Sequence, residues 1–324
     1  MKQKNCDIIF STFGPASNHL VAYALKKIFK KPWIADFRDL WATNKNLIMP
    51  TPIHRKIHLW LEQMVVRTAD KVIGVGEHIN VELKRHTSHR AKFVVLSNGY
   101  DGELIQQLKE QDPISPQDYF TMVYTGSFYR KRSPEVFLKA VTKLVEQGRV
   151  PLNKIRIHFV SNFKIADSEY ASIKPALTIR GLTSHREALE IMVRADAFLL
   201  IVENELKHQI VNAKFFDYVA FQKSILALVG DQSVCLPYLD QSGLAFIAHP
   251  DDQDEIAQQF FNLYQAWNEK KIRIQPNLNY IRRFDISQLS SQLAGVFEEV
   301  IRPAKPKSQK ALPENEMVLS IAES

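Results

Sequence analysis

Short apolar runs recur along the chain, each followed by a stretch in which apolar positions return every three or four residues. The runs suit strands buried on both faces of a parallel sheet, and the longer spacing gives a helix one apolar stripe. In the first part the strand-like runs are CDIIFS (Cys6–Ser11), PWIADF (Pro32–Phe37), KVIGV (Lys71–Val75) and KFVVLS (Lys92–Ser97), with ASNHLVAYALKKIF and IHRKIHLWLEQMVVRTA helical between them. The second part opens on FTMVYTG (Phe120–Gly126) and continues with KIRIHFVS, LTIRG, AFLLIV, SILALVG and LAFIA. Helical spacing there falls on PEVFLKAVTKLVEQG, SHREALEIMVRA and DEIAQQFFNLYQAW. Such alternation predicts βα units and parallel sheets, hence an α/β protein with two doubly wound lobes. LIQQLKEQDPISPQDY has two prolines and no apolar stripe, which predicts a boundary near residues 105–119. The expected organisation is a first lobe over 1–110, a second over 119–302, and a Pro- and Lys-rich disordered tail over 303–324.

Composition narrows the class. The 324 residues, 45% hydrophobic and 24% charged, suit a soluble chain of two ordinary domains. No apolar run approaches the roughly 18–20 residues a membrane span needs, and MKQKNCDIIF lacks the apolar core of a secretory signal. Cys6 and Cys235 are far apart and lack metal-type spacing, which fits a reducing cytoplasm. The net charge of +7 is uneven: Met1–Gln111 holds 17 Lys and Arg against 10 Asp and Glu, and the remainder is balanced. A basic first lobe suits an anionic surface, lipid headgroups before nucleic acid, or is simply solvated.

The most informative stretch is NAKFFDYVA, Asn212–Ala220. Phe215, Tyr218 and Val219 give the buried face of a helix and Asn212 its N-cap. Lys214 and Asp217, three apart, form either a surface ion pair or a ligand site. As a pair they are poorly arranged, because the lysine stands at the positive end of the helix. A bound anion there would make the lysine favourable, and a carboxylate one turn on can accept hydrogen bonds from a ribose. In YTGSFYRKRSPEVF, a strand ends on Gly126 and Arg130, Lys131 and Arg132 precede a helix start at Pro134, a phosphate-friendly turn when it is not merely solvated. PDDQDE (Pro250–Glu255) reads as a helix N-cap and first turn rather than a metal site. No His/Cys cluster has metal spacing, so no metal is expected.

VVLSNGYD (Val94–Asp101) resembles the hinge-side segment of family 4 glycosyltransferases. VYTGSFYRKRSPEVFLKAVTKL, IRGLTSHREALEIMVRADAFLLIV and KFFDYVAFQKSILAL follow in that family's order, and DIIFSTFGPASNHL with PWIADFRDLW resembles its later first-lobe strands. The resemblance covers about Cys6 to Ile301 and implies the two-lobed GT-B fold and retaining transfer of a sugar from a nucleotide sugar without metal. It implies diphosphate binding by Arg132, with Lys131, Arg130, Gly126 and Lys214 around it, and ribose binding by Asp217. Arg180, Gly181 and Leu182 would edge the base pocket, while His19, Asp36, Arg38 and Asp39 would face the sugar and acceptor. Read alone, His19 is also an ordinary helix histidine, and Asp36, Arg38 and Asp39 a local charge cluster.

Three features depart from the family pattern. Gln209 stands where the first acid of the donor-binding pair belongs, with Glu203 and Glu205 out of register, and Ser127 replaces an arginine after the glycine. The chain also begins partway into the expected first lobe, about 90 residues short by the size of βα units, which would leave strand edges and apolar faces open. The expected activity is a retaining glycosyltransferase at the cytoplasmic membrane face, acting on a glycan or lipid-linked acceptor, with no cofactor and no nucleic acid. A non-catalytic nucleotide-sugar binder and a nucleotide-sugar epimerase are the alternatives.

Overall fold

The computed structural model describes residues 6–44, 47, 49–111, 117–128, 133–164, 170–202, 211–271 and 274–301. Every predicted strand forms. The first sheet is parallel, in the order β1 (Ile9–Thr12), β2 (Trp33–Phe37), β3 (Lys71–Gly74), β4 (Phe93–Val95). Helices α1 (Ser17–Phe29), α2 (Pro52–Thr68) and α3 (Glu77–Leu83) cover one face, packing Ala22, Val65 and Ile79 on Trp33, Ala35, Phe37 and Val72. The alternate residues Ile34 and Ile73 point to the opposite face.

The second sheet is also parallel. Its strands are β5 (Phe120–Thr125), β6 (Ile155–Val160), β7 (Leu177–Arg180), β8 (Ala197–Ile201), β9 (Ser224–Leu228) and β10 (Ala245–Ala248), in the order β10-β9-β8-β5-β6-β7. Helices α4 (Gly102–Gln111), α6 (His185–Val193), α7 (Ala213–Ala220) and α8 (Leu236–Ser242) pack on Val123, Phe198, Leu200, Ile225 and Ala227. The other face carries α5 (Glu135–Glu146) and α9 (Gln253–Asn268) against Met122, Ile157, Leu199 and Leu226. Coverage on both sides explains why these strands read as unbroken apolar runs. The chain leaves β5 to one side through β6 and β7, then to the other through β8 and β9. The topological switch, where open α/β sheets hold their ligands, therefore lies between β5 and β8.

The lobes divide differently from the sequence expectation. Residues 102–111 form α4, whose Ile105 and Leu108 are buried in the second-lobe core, so the crossing lies near residues 97–100 and not at 105–119. The prolines expected to break the pattern follow the helix and lie outside the described residues. After α10 (Leu278–Arg282) the chain crosses back, and α11 (Ile286–Ile301) lays Leu289 and Val296 on Ile34, Ile73 and Leu96 of the first sheet. Each such side chain contributes about 1.5–3 kcal/mol of apolar burial, which ties one end of the second lobe to the first.

The NGYD segment is the joint between these crossings. Tyr100 N–H donates to the Phe284 carbonyl at 2.9 Å, and Ile286 N–H to the Tyr100 carbonyl at 3.0 Å. A Cβ on Gly99 would stand 2.3 Å from the Phe284 oxygen, so only glycine permits this approach. Asp101 then accepts the Leu104 N–H at 2.9 Å and starts α4. A motif first met as a family likeness has a local mechanical cause.

Candidate functional site

Strand β5 ends in a left-handed Gly126, φ +103°. Its N–H donates to the Val160 carbonyl at 2.8 Å, which turns the chain away from the sheet. Across the switch point, α7 starts with Asn212 capping the Lys214 N–H. The Lys214 side chain then runs back over the turn: a Cβ on Gly126 would lie 2.6 Å from Lys214 Cε and 3.0 Å from Nζ. Nζ donates to Tyr124 Oη at 2.6 Å and stands 3.8 Å from that ring's centroid, and Tyr124 in turn stacks on Phe128 at 4.3 Å. One turn on, the buried Tyr218 hydroxyl accepts the Thr125 N–H at 3.0 Å, and burial pushes its pKa up to about 12. That bond locks α7 to the end of β5, so the ammonium is held over the glycine turn that leads to residues 130–132. Arg130, Lys131 and Arg132 themselves lie outside the described residues, as do Glu203, Glu205, Gln209 and the tail from Pro303.

Asp217 turns toward α6. Its Oδ2 is 3.4 Å from His185 Nε2, and burial raises its pKa while His185 opposes the rise. His185 opens α6 immediately after the turn of Arg180, Gly181 and Leu182, which are exposed. That turn is held by a capping box in which Ser184 N–H donates to Glu187 Oε2 at 2.9 Å and Ser184 Oγ accepts the Glu187 N–H. The structure thus brings together Gly126 with Lys214, and Asp217 with the 180–185 turn. Lys214 and Asp217 point to different partners instead of to each other. His185 and Tyr124 were not singled out in the sequence, and Tyr218 was marked there only as part of the buried helix face. Two of them announce themselves only as polar-tipped aromatics inside apolar elements, and His185 only as the residue after a cap.

Two of the first-lobe candidates face inward. His19 is 0% exposed among Phe13, Trp33, Phe37 and Trp41, its ring centroid 4.6 Å from that of Phe37. Ser11 Oγ accepts the Trp33 indole N–H at 2.9 Å and lies 2.8 Å from His19 Nδ1. The indole is only a donor, while the serine hydroxyl can either donate to a bare Nδ1 or accept from Nδ1–H, according to the ring tautomer. The other ring nitrogen, Nε2, has no hydrogen-bond partner among the described residues, and burial lowers the His19 pKa to about 4. Asp36, 2% exposed, accepts from Thr12 Oγ1 at 3.1 Å and Arg38 Nε at 2.9 Å, while its Oδ1 is buried and unpaired among the described residues. Burial raises its pKa and Arg38 opposes the rise. Arg38 also donates to the Leu96 carbonyl at 3.2 Å, so it couples the ends of β2 and β4. Of the four first-lobe candidates, Arg38 and Asp39 keep accessible polar groups, whereas α1 folds His19 onto the sheet and Asp36 is buried in β2. Burial also raises the Asp39 pKa.

A cavity of about 460 Å³ lies between the lobes, lined by Glu77, His78, Ser97, Tyr238 and Arg283 among others. A second, of about 600 Å³, lies on the face of β5, β6 and β7 and reaches Arg180. Neither is lined by Lys214 or Asp217. Among the described residues no group of three or more His, Cys, Asp or Glu could hold a metal, and no helix is long and apolar enough to cross a membrane. The PDDQDE stretch caps α9, Asp252 Oδ1 accepting the Asp254 and Glu255 N–H groups at 3.0 and 2.9 Å.

No protein-family profile matches the chain, and no curated protein sequence does. Solved structures do match in fold. Sucrose-phosphate synthase from Thermosynechococcus elongatus superposes with a TM-score of 0.66 at 14% identity, covering 90% of this chain and 73% of that one. A glycosyltransferase from Rickettsia africae gives 0.63 at 13% identity, covering 92% and 78%. HepE from Anabaena, solved in complex with UDP, gives 0.61 at 14% identity, covering 90% and 79%. The chain therefore has the two-lobed α/β fold of GT-B type, two parallel sheets with their connections crossing at one joint.

Proposed function

We propose that the second lobe binds the diphosphate of a nucleotide sugar at the switch point, with Lys214 above Gly126 as its cation and Asp217 as acceptor for the ribose hydroxyls. The observation that carries this reading is the ammonium held over the glycine turn at the β5–β8 crevice, where this type of sheet holds ligands. A strand-ending turn and a helix N-terminus there supply N–H groups and positive charge together. Arg180, Gly181 and Leu182 then edge the base, beside Asp217 through His185.

The activity proposed is transfer of the sugar, with retention, to a glycan or lipid-linked acceptor on the first lobe. As the bond from the anomeric carbon to the phosphate oxygen breaks, charge gathers on the diphosphate, and Lys214 with Arg130, Lys131 and Arg132 stabilises it. The acceptor hydroxyl forms the new bond and gives its proton to the departing phosphate oxygen, so the chain needs no dedicated base. UDP is the first nucleotide to try, since HepE was solved with it.

A second reading, a nucleotide-sugar binder without transfer, is favoured by the burial of His19 and Asp36, two of the side chains expected to face the acceptor. Melting curves with UDP, GDP, ADP and their sugars, followed by assay of sugar release and transfer, separate the two. A shift with turnover supports transfer, a shift without turnover supports the binder, and no shift with any nucleotide overturns both.

A further inference from the structure

Helix α2 has two apolar faces. Val65 and Val66 are buried in the first-lobe core, and Glu62 beside them accepts the Ala42 N–H at 2.9 Å. At 100° per residue, Ile53, Ile57 and Trp60 fall within an arc of about 60° on the side away from these residues. They are 68%, 50% and 61% exposed. A surface helix ordinarily carries charged residues there. The neighbouring α1 repeats the feature, with Val21, Leu25 and Ile28 one above the other and exposed. Both helices lie on the same side of the sheet, sharing one core cluster.

The charge around these stripes has one sign. From Ser17 to Ala35, and again from Leu40 to Leu61, the sequence holds no Asp or Glu. Exposed Lys56 flanks the α2 stripe, about 40° from Trp60, and exposed Lys27 and Lys30 lie at the end of α1. A segment adding a strand beyond β1 would cover the flank of α1 but would leave the far side of α2 in water. A duplex nucleic acid would use the cations and leave the aliphatic stripe and Trp60 without partners. An apolar stripe with an aromatic and a basic rim matches a headgroup layer, into which such helices sink their apolar side while the cations stay at the phosphates.

We infer that the outer face of α1 and α2 is a docking surface for an anionic lipid bilayer, with Ile53, Ile57 and Trp60 inserted and Lys56 on the headgroups. It deepens the lipid-linked-acceptor reading but stands on its own observations, and vesicle binding is measured without nucleotide, so the two fail separately.

The test is flotation of the full chain with phosphatidylcholine vesicles and with vesicles containing roughly one-third phosphatidylglycerol. The expected result is binding to the anionic vesicles only, weakened by salt, with a blue shift in tryptophan emission; Trp33 and Trp41 are buried and give none. Ile57→Glu with Trp60→Glu is expected to lower partition about tenfold or more, and Lys56→Gln about fivefold. The serine pair I57S and W60S, with melting curves, guards against misfolding. Absence of anionic-vesicle binding, equal flotation with neutral vesicles, or full retention by the glutamate pair would overturn the proposal. So would equal affinity for duplex DNA, or a dimer in sedimentation that the glutamate pair dissociates.

Discussion

The two lobes use the same βα grammar and treat their polar residues in opposite ways. In the first, two polar side chains near the ends of β1 and β2 turn inward: His19 of α1 and Asp36 of β2 are buried, each with one unpaired polar atom among the described residues. In the second, the equivalent strand ends hold a cation and a carboxylate at the rim, Lys214 over Gly126 and Asp217 beside His185. Buried titratable groups lower stability in the protonation state that burial disfavours, whereas rim groups are kept for what they bind. The first lobe should therefore betray its polar residues in stability and the second in ligand affinity.

The largest expected effect is in the first lobe. His19 has a folded pKa of about 4 against an ordinary 6.5, so the unfolded chain binds the extra proton between these values and stability falls as pH drops through that window. The loss is about 3 kcal/mol when the window has been crossed. His19→Phe should flatten this part of the pH–stability curve measured by urea unfolding, and an unchanged slope would separate His19 from it. Gly126→Ala should come next, costing about 1–3 kcal/mol because a side chain there meets both a positive φ and Lys214, and it should weaken nucleotide binding as well.

A comparable effect is expected at Arg38→Ala, which leaves the buried Asp36 carboxylate without its cation. A loss of about 1–3 kcal/mol at neutral pH, shrinking as acid neutralises Asp36, is the outcome to look for in melting curves. Smallest is Asp217→Asn. Its raised pKa means the folded state holds the proton more tightly, so stability falls as pH rises from the ordinary carboxylate value through the folded one. The amide removes that penalty, and the melting temperature at pH 7 should rise by about 1–3 °C, with the gain fading in acid. Nucleotide affinity should fall in the same variant, which a merely structural carboxylate would not produce.

Much of the fold was legible because parallel strands buried on both faces leave unbroken apolar runs, as in AFLLIV and SILALVG. The lobe boundary was not. Only Ile105 and Leu108 of α4 are buried, too few to mark a stripe, and α11 reads as an ordinary amphipathic helix whichever sheet it covers. In the site, Lys214 and Asp217 were marked by charge on an apolar helix, but their partners depend on β5 and α6, remote in sequence. The burial of His19 was invisible for a related reason: the rings that enclose it come from β2 and from the loops following β1 and β2.

The central claim is that the Lys214 ammonium above Gly126 is a diphosphate site. Calorimetric titration of UDP and GDP into the full chain, Lys214→Met and the remote control Lys143→Met tests it most directly. The account predicts that the better-binding nucleotide loses about 10–100-fold in affinity at Lys214→Met and nothing at the control, with both variants folded. Equal affinity in all three chains would contradict it.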